Sequence, residues 1–161
     1  MPTRWLAYQP NRQTRKAANI LYRIGEILYL SETKKMTKSK FFSTSEMECK
    51  CGKKCYNLAP GFIEKLDELR EAFGYAMIPT SCCRCPTHNE KEGGKTSSFH
   101  LITNSISKGT CAIDIKRKDY NYDAALIGIA LDLGWSVGLA KTFIHLDRRG
   151  DYGAPRVIFT Y

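Results

Sequence analysis

Two histidines and one aspartate stand where a folded chain can least accommodate them, inside short apolar segments. His100 occurs in Ser98-Phe99-His100-Leu101, Asp114 in Ala112-Ile113-Asp114-Ile115, and His145 in Phe143-Ile144-His145-Leu146-Asp147. A carboxylate placed among isoleucines is costly to bury without a partner. Any fold of this chain must therefore bring Asp114 to a cation, or turn it out to water beside Lys116 or Arg117. Strand alternation puts Phe143, His145 and Asp147 on one face. A single histidine in such a position is commonly a hydrogen-bonded core residue, but the three segments together favour a metal. Two neutral imidazoles and one carboxylate form the donor set of a catalytic zinc site, with a fourth position left open.

Length and charge set the frame around these residues. A chain of 161 residues suits one domain with a modest core, plus an appendage. Residues 1–54 carry 12 Lys and Arg against 4 Asp and Glu, whereas residues 55–161 carry 13 against 12. The basicity belongs to the N-terminal third, which suits an anionic wall polymer, an anionic membrane, nucleic acid or simply solvent. The opening Met1-Pro2-Thr3-Arg4-Trp5 lacks the apolar core of a secretion signal, and the 20–30 stretch is interrupted by Arg23 and Glu26. No segment approaches the roughly 20 apolar residues of a membrane span. The expectation is synthesis and retention in a cytosol until some other agent releases the protein. In a reducing compartment the seven cysteines would be thiols or metal ligands rather than a disulfide framework.

Periodicity places the elements. Residues 14–30 have helical spacing behind Thr14, and residues 31–40 are polar, with four lysines. Pro60 opens a second helix whose apolar face is Phe62, Ile63, Leu66, Leu69 and Phe73, capped by Gly74. Residues 84–108 read as loop. Residues 110–116 alternate as a strand, 121–133 form a helix closed by Gly134, and 135–139, 142–147 and 156–161 are further strands. Helices and strands without a repeated βαβ unit predict an α+β fold.

The order of these residues resembles a known family, the zinc D-alanyl-D-alanine carboxypeptidases and L-alanyl-D-glutamate endopeptidases, which share the hedgehog-like fold. The resemblance runs through Ser81-Cys82-Cys83-Arg84-Cys85-Pro86-Thr87-His88-Asn89, Gly93-Gly94, Ser98-Phe99-His100, Gly109, Ala112-Ile113-Asp114-Ile115 and His145-Leu146-Asp147, preceded by Leu69-Arg70 and Phe73-Gly74. It implies a small antiparallel sheet flanked by helices, with a zinc peptidase-like domain over 41–161 and a basic helical extension and linker over 1–40. It also implies that His100, Asp114 and His145 bind Zn²⁺, that Arg84, with Asn89 and Ser98, binds the substrate, and that Arg84 acts in catalysis by steadying the oxyanion. The implied activity is hydrolysis of a peptide bond next to a D-amino acid in the stem peptide of peptidoglycan. The basic N-terminal third would then suit a phage endolysin or virion-associated enzyme, held to an anionic wall or to other virion proteins.

Two departures from the family pattern shape what the structure must answer. The positions that usually supply a general acid/base ahead of the last histidine are Thr142 and Phe143, which cannot do so. Asp147 is the nearest carboxylate and is nominated as the base; its alternative roles are orienting His145 or pairing with Arg84. Thirteen residues separate His100 from Asp114, more than in the family pattern. If they displace Asp114, the chain is a non-catalytic structural or binding relative, such as a virion component. The cysteines leave several readings open. Cys49, Cys51, Cys55 and Cys85 could hold a structural zinc, form disulfides or remain thiols, and C-x-C-x₃-C is not a standard finger spacing. Cys111 reads as core, and His88 as a non-ligand.

Overall fold

The computed structural model describes residues 38–161, so the helix expected over 14–30 and most of the 31–40 linker lie outside the described residues. Contacts cluster residues 37–161 into one compact unit. Among the described residues no helix is long and apolar enough to cross a membrane.

The chain forms α1 (Thr44–Met47), α2 (Phe62–Phe73), β1 (Pro79–Ser81), α3 (Pro86–Lys91), β2 (Ala112–Lys116), α4 (Tyr120–Asp132), β3 (Ser136–Leu139), β4 (Phe143–Asp147) and β5 (Ile158–Thr160). The five strands make one sheet in the order β1-β2-β4-β3-β5. The first four pair antiparallel, as expected, and β5 joins β3 in parallel, making the sheet mixed. The fold is α+β.

The alternation read in the sequence gives the sheet two unlike faces. Ile113 and Ile115 of β2, Val137 of β3, and Ile144 and Leu146 of β4 are completely buried. They share one core with Phe62, Leu66, Leu69 and Phe73 of α2 and Leu126 and Ala130 of α4. Phe62 meets Trp135 edge-on with ring centroids 5.9 Å apart. Gly74 ends α2 in the left-handed conformation, donating its N–H to the Arg70 carbonyl. The start of α2 differs from expectation, because the helix begins at Phe62 rather than at Pro60. Asp119 caps α4 by accepting the Tyr122 N–H at 2.9 Å. Buried Asp67 of α2 accepts bonds from the Ser39 hydroxyl and the Lys40 N–H, fixing the segment that leads into the domain.

Within residues 84–108, read as loop, Pro86 opens the six-residue helix α3 behind Cys85. The rest of this segment brings His100 to the polar side chains of β2 and β4. Arg84 and Leu101 form an isolated parallel bridge, with Arg84 N–H on the His100 carbonyl at 2.8 Å and Ile102 N–H on the Arg84 carbonyl at 3.0 Å. The long spacer after His100 folds on itself around buried Asn104. Its side-chain oxygen accepts from Ile106 N–H, Ser107 N–H and the Ser107 hydroxyl, while its NH₂ donates to the carbonyls of Ser97 and Ser98. Gly109 (φ +151°) closes the spacer where a Cβ would lie 2.8 Å from the Leu58 carbonyl carbon. The extra residues are thus absorbed locally.

Candidate metal centre

The face opposite the apolar core carries the alternate residues of β2 and β4. Register pairs Asp114 with His145 and Ala112 with Asp147, so both strands present their polar side chains together. His100 meets them from the overlying segment. Its Nε2 lies 3.1 Å from Asp114 Oδ1 and 3.1 Å from His145 Nδ1, and His145 Nδ1 lies 2.9 Å from Asp114 Oδ1. All three residues are buried. Asp114 therefore does not turn to water, and the long spacer does not displace it.

The far side of each ring decides what its near side offers. His100 Nδ1 lies 2.7 Å from the Cys82 carbonyl, which can only accept, so that nitrogen carries the proton and Nε2 has a bare lone pair. His145 Nε2 lies 2.9 Å from Asp147 Oδ2; donation to this carboxylate leaves Nδ1 bare in the neutral ring. Two lone pairs and one carboxylate oxygen thus face one point. Without a cation or a proton between them they would repel, so the donor set fits a divalent metal favouring nitrogen and oxygen, of which zinc is the common case.

The charges agree with this reading. Burial alone would raise the Asp114 carboxyl, but the charge and hydrogen bonds of His100 and His145 hold it well below the usual carboxylate range. Burial pushes His100 down, the direction that keeps its imidazole neutral. Burial also lowers His145, but Asp114 and Asp147 outweigh it and raise the ring overall. The negative field that draws a proton onto His145 would equally favour a metal in the proton's place.

Around the three ligands stands a ring of supports. Arg84 donates through Nε to the Ser81 hydroxyl at 2.8 Å and through NH2 to Asp114 Oδ2 at 2.7 Å, leaving Oδ1 turned to the histidines. Asp147 is fully buried and takes Arg149 Nε and NH2 as well as the His145 N–H. Burial would raise this carboxyl, but His145 and Arg149 bring it down to about 2. The Arg149 guanidinium packs over Phe99 at 4.8 Å and Phe159 at 5.6 Å. Of the two alternative roles considered for Asp147, its contacts match orientation of His145; its arginine partner is Arg149, not Arg84.

The Ser98 hydroxyl accepts the His100 N–H at 3.3 Å. Asn89 is buried and donates to the Lys95 carbonyl at 3.0 Å, away from the ligand atoms. A Cβ on Gly94 would come within 2.3 Å of the Asn89 side-chain oxygen, so this pair locks the turn after α3. His88 lies on α3, away from the two histidines.

Four further residues complete the site without any signal in the sequence. Gly138 of β3 stands opposite His145, and a Cβ there would lie 2.6 Å from the Phe159 ring and 3.1 Å from His145 Cβ. Phe159 and Tyr161 place their rings 5.6 and 6.2 Å from His145, and Phe143 packs 5.3 Å from Tyr161. Tyr161 is 70% exposed, and Asp114 nearby pushes its phenol upward, so the hydroxyl stays protonated at neutral pH. Arg149 is the fourth. Phe159 and Tyr161 reach the site only through the pairing of β5 with β3, Gly138 through the β3–β4 register, and Arg149 from two residues after Asp147.

No curated protein and no solved structure matches the chain. A family model described as Peptidase M15 matches residues 40–147, a span that takes in Arg84, His100, Asp114, His145 and Asp147; the chain is a member of the peptidase M15 family.

Proposed function

We propose that the protein is a zinc-dependent peptidase that hydrolyses a peptide bond beside a D-amino acid in peptidoglycan stem peptides. The observation that carries this reading is the convergence of His100 Nε2, His145 Nδ1 and Asp114 Oδ1 on one point in a peptidase M15 chain. Resemblance to the D-alanyl-D-alanine carboxypeptidases supports the substrate class. The positive excess of residues 1–54 supports action at an anionic wall, as a phage lysis or virion-associated enzyme made in the cytosol and acting after release.

His100, Asp114 and His145 hold the metal in this reading. The chemistry Zn²⁺ supplies when held there is a water acidified toward neutrality and a polarised substrate carbonyl. Arg84, cationic and partly exposed, fixes Asp114 and faces the substrate's carboxylate or carbonyl oxygen. Tyr161 keeps its phenolic proton and is the neutral donor at the open side. Asp147 works through His145 as a positioning residue, because its oxygens are already taken by His145 and Arg149.

A second reading has one observation in its favour. Among the described residues, the carboxylates hydrogen-bonded into this group are Asp114 and Asp147, and both are committed. A metal-bearing member without turnover, serving as a structural or binding protein, would look the same. Incubation with purified peptidoglycan, followed by mass spectrometry of the released muropeptides, separates the two. The peptidase reading expects new termini next to a D-residue that are lost in His145→Ala, which also loses one zinc. Intact stem peptides from zinc-loaded wild type would overturn it.

A further inference from the structure

Four cysteines gather where the lead-in segment meets the Arg84 loop, apart from the His100, Asp114 and His145 group. The Sγ atoms of Cys49, Cys51 and Cys85 all lie within 4.8 Å of one another. Cys55 Sγ lies 3.8 Å from Cys51 Sγ. Tetrahedral zinc with Zn–S bonds of about 2.3 Å sets its sulfurs about 3.8 Å apart, the separation of that pair.

The backbone is arranged for thiolates. Cys49 N–H bonds to the Cys55 carbonyl at 2.9 Å and closes a tight loop, in which Gly52 and Lys54 take the left-handed conformation. A lysine at φ 51° is an uncommon arrangement for a residue with a side chain. Within the cluster a backbone N–H bonds to sulfur, with Cys85 N–H reaching Cys49 Sγ at 3.3 Å. None of the four is in a disulfide. Cys49 is buried, and the other three are only partly exposed.

The geometry points to a second, structural metal site, in which Cys49, Cys51, Cys55 and Cys85 bind one Zn²⁺ through four thiolates. It is closed, with no position left for water, so its role is structural rather than hydrolytic. It pins the lead-in segment, whose Met47 carbonyl already accepts the Cys83 N–H at 2.9 Å, to the stretch holding Arg84. Because Cys85 follows Arg84 directly, the metal fixes the arginine that orients Asp114.

Elemental analysis of the purified full-length protein tests this. Wild type should contain about two zinc ions per chain, one from each site. His100→Ala should retain about one, and after replacement by Co²⁺ should show the intense near-ultraviolet thiolate-to-cobalt absorption that nitrogen and oxygen ligands do not give. Cys51→Ser/Cys55→Ser should lose that band and one zinc. A His100→Ala protein that holds no metal, or whose cobalt form lacks the thiolate band, would overturn the site even if the double-cysteine variant fails to fold. The cobalt band reads the cysteines alone, so loss of peptidase activity leaves this result unaffected.

Discussion

At the scale of single residues, the site depends on what each ligand's far side touches. Asp147 is the sharpest case, since it stands in the sequence as the nearest carboxylate to His145 and in the fold as that histidine's hydrogen-bond acceptor. Asp147→Asn should weaken zinc binding roughly 10–100-fold, the usual cost of losing a partner behind a metal-bound histidine, and competition with a chromophoric chelator measures it. If Asp147 were instead the general base, metal affinity would hold while turnover alone fell by about 10²-fold or more. The same carboxyl predicts an acid limb. Its folded pKa of about 2 lies below the ordinary Asp value of about 3.9. Its ionisation therefore stabilises the fold above about pH 4, and that contribution is lost as pH falls toward about 2. The stability gap between wild type and Asp147→Asn should shrink over that window in chemical denaturation.

Elements differ in how openly the sequence announces them. The alternation of β2 and β4 was legible because both faces are written locally, isoleucines and leucine to the core and Asp114, His145 and Asp147 to the other side. Helix α2 was legible from its apolar stripe and Gly74. His100 was legible only as one of three donors in apolar segments, and its place beside the other two was not, because its segment is irregular and is held by backbone bonds to Arg84 and Cys111. Helix α3 escaped notice because a proline and five polar residues leave no period to read. Phe159 and Tyr161 were missed because the parallel β3–β5 pairing brings them to His145 from beyond a turn, and Gly138 because only the β3–β4 register sets it opposite that histidine. The spacer after His100 makes its own prediction. Asn104→Ala would strand several buried hydrogen-bonding groups, each costing about 1–3 kcal/mol when left unpaired. Thermal unfolding should show a clear drop in midpoint, while the folded protein still binds zinc at His100, Asp114 and His145.

For the whole molecule, charge and chemistry are divided along the chain. The excess of Lys and Arg falls in residues 1–54, whereas the candidate metal ligands and their supports fall between residues 81 and 161. Removing residues 1–36 should therefore weaken sedimentation with cell walls more than hydrolysis of a soluble muropeptide. The wall binding that is lost should be the salt-sensitive part, because exposed charges are screened beyond about 8 Å at physiological ionic strength. Equal loss of both activities would argue against a targeting role for that segment.

The two-faced sheet also partitions where the chain can change length. Strand β2 writes the core and the metal site in alternate letters, so a one-residue insertion or deletion within residues 112–116 would exchange them. Isoleucines would then face the histidines and Asp114 would face α2, abolishing stability and metal binding in a single event. Residues 101–109, tied up around Asn104, carry no such reading frame. A peptide tag introduced at the exposed tip, between Ser105 and Ile106, should leave the ligands in place, whereas β2 offers no position for one.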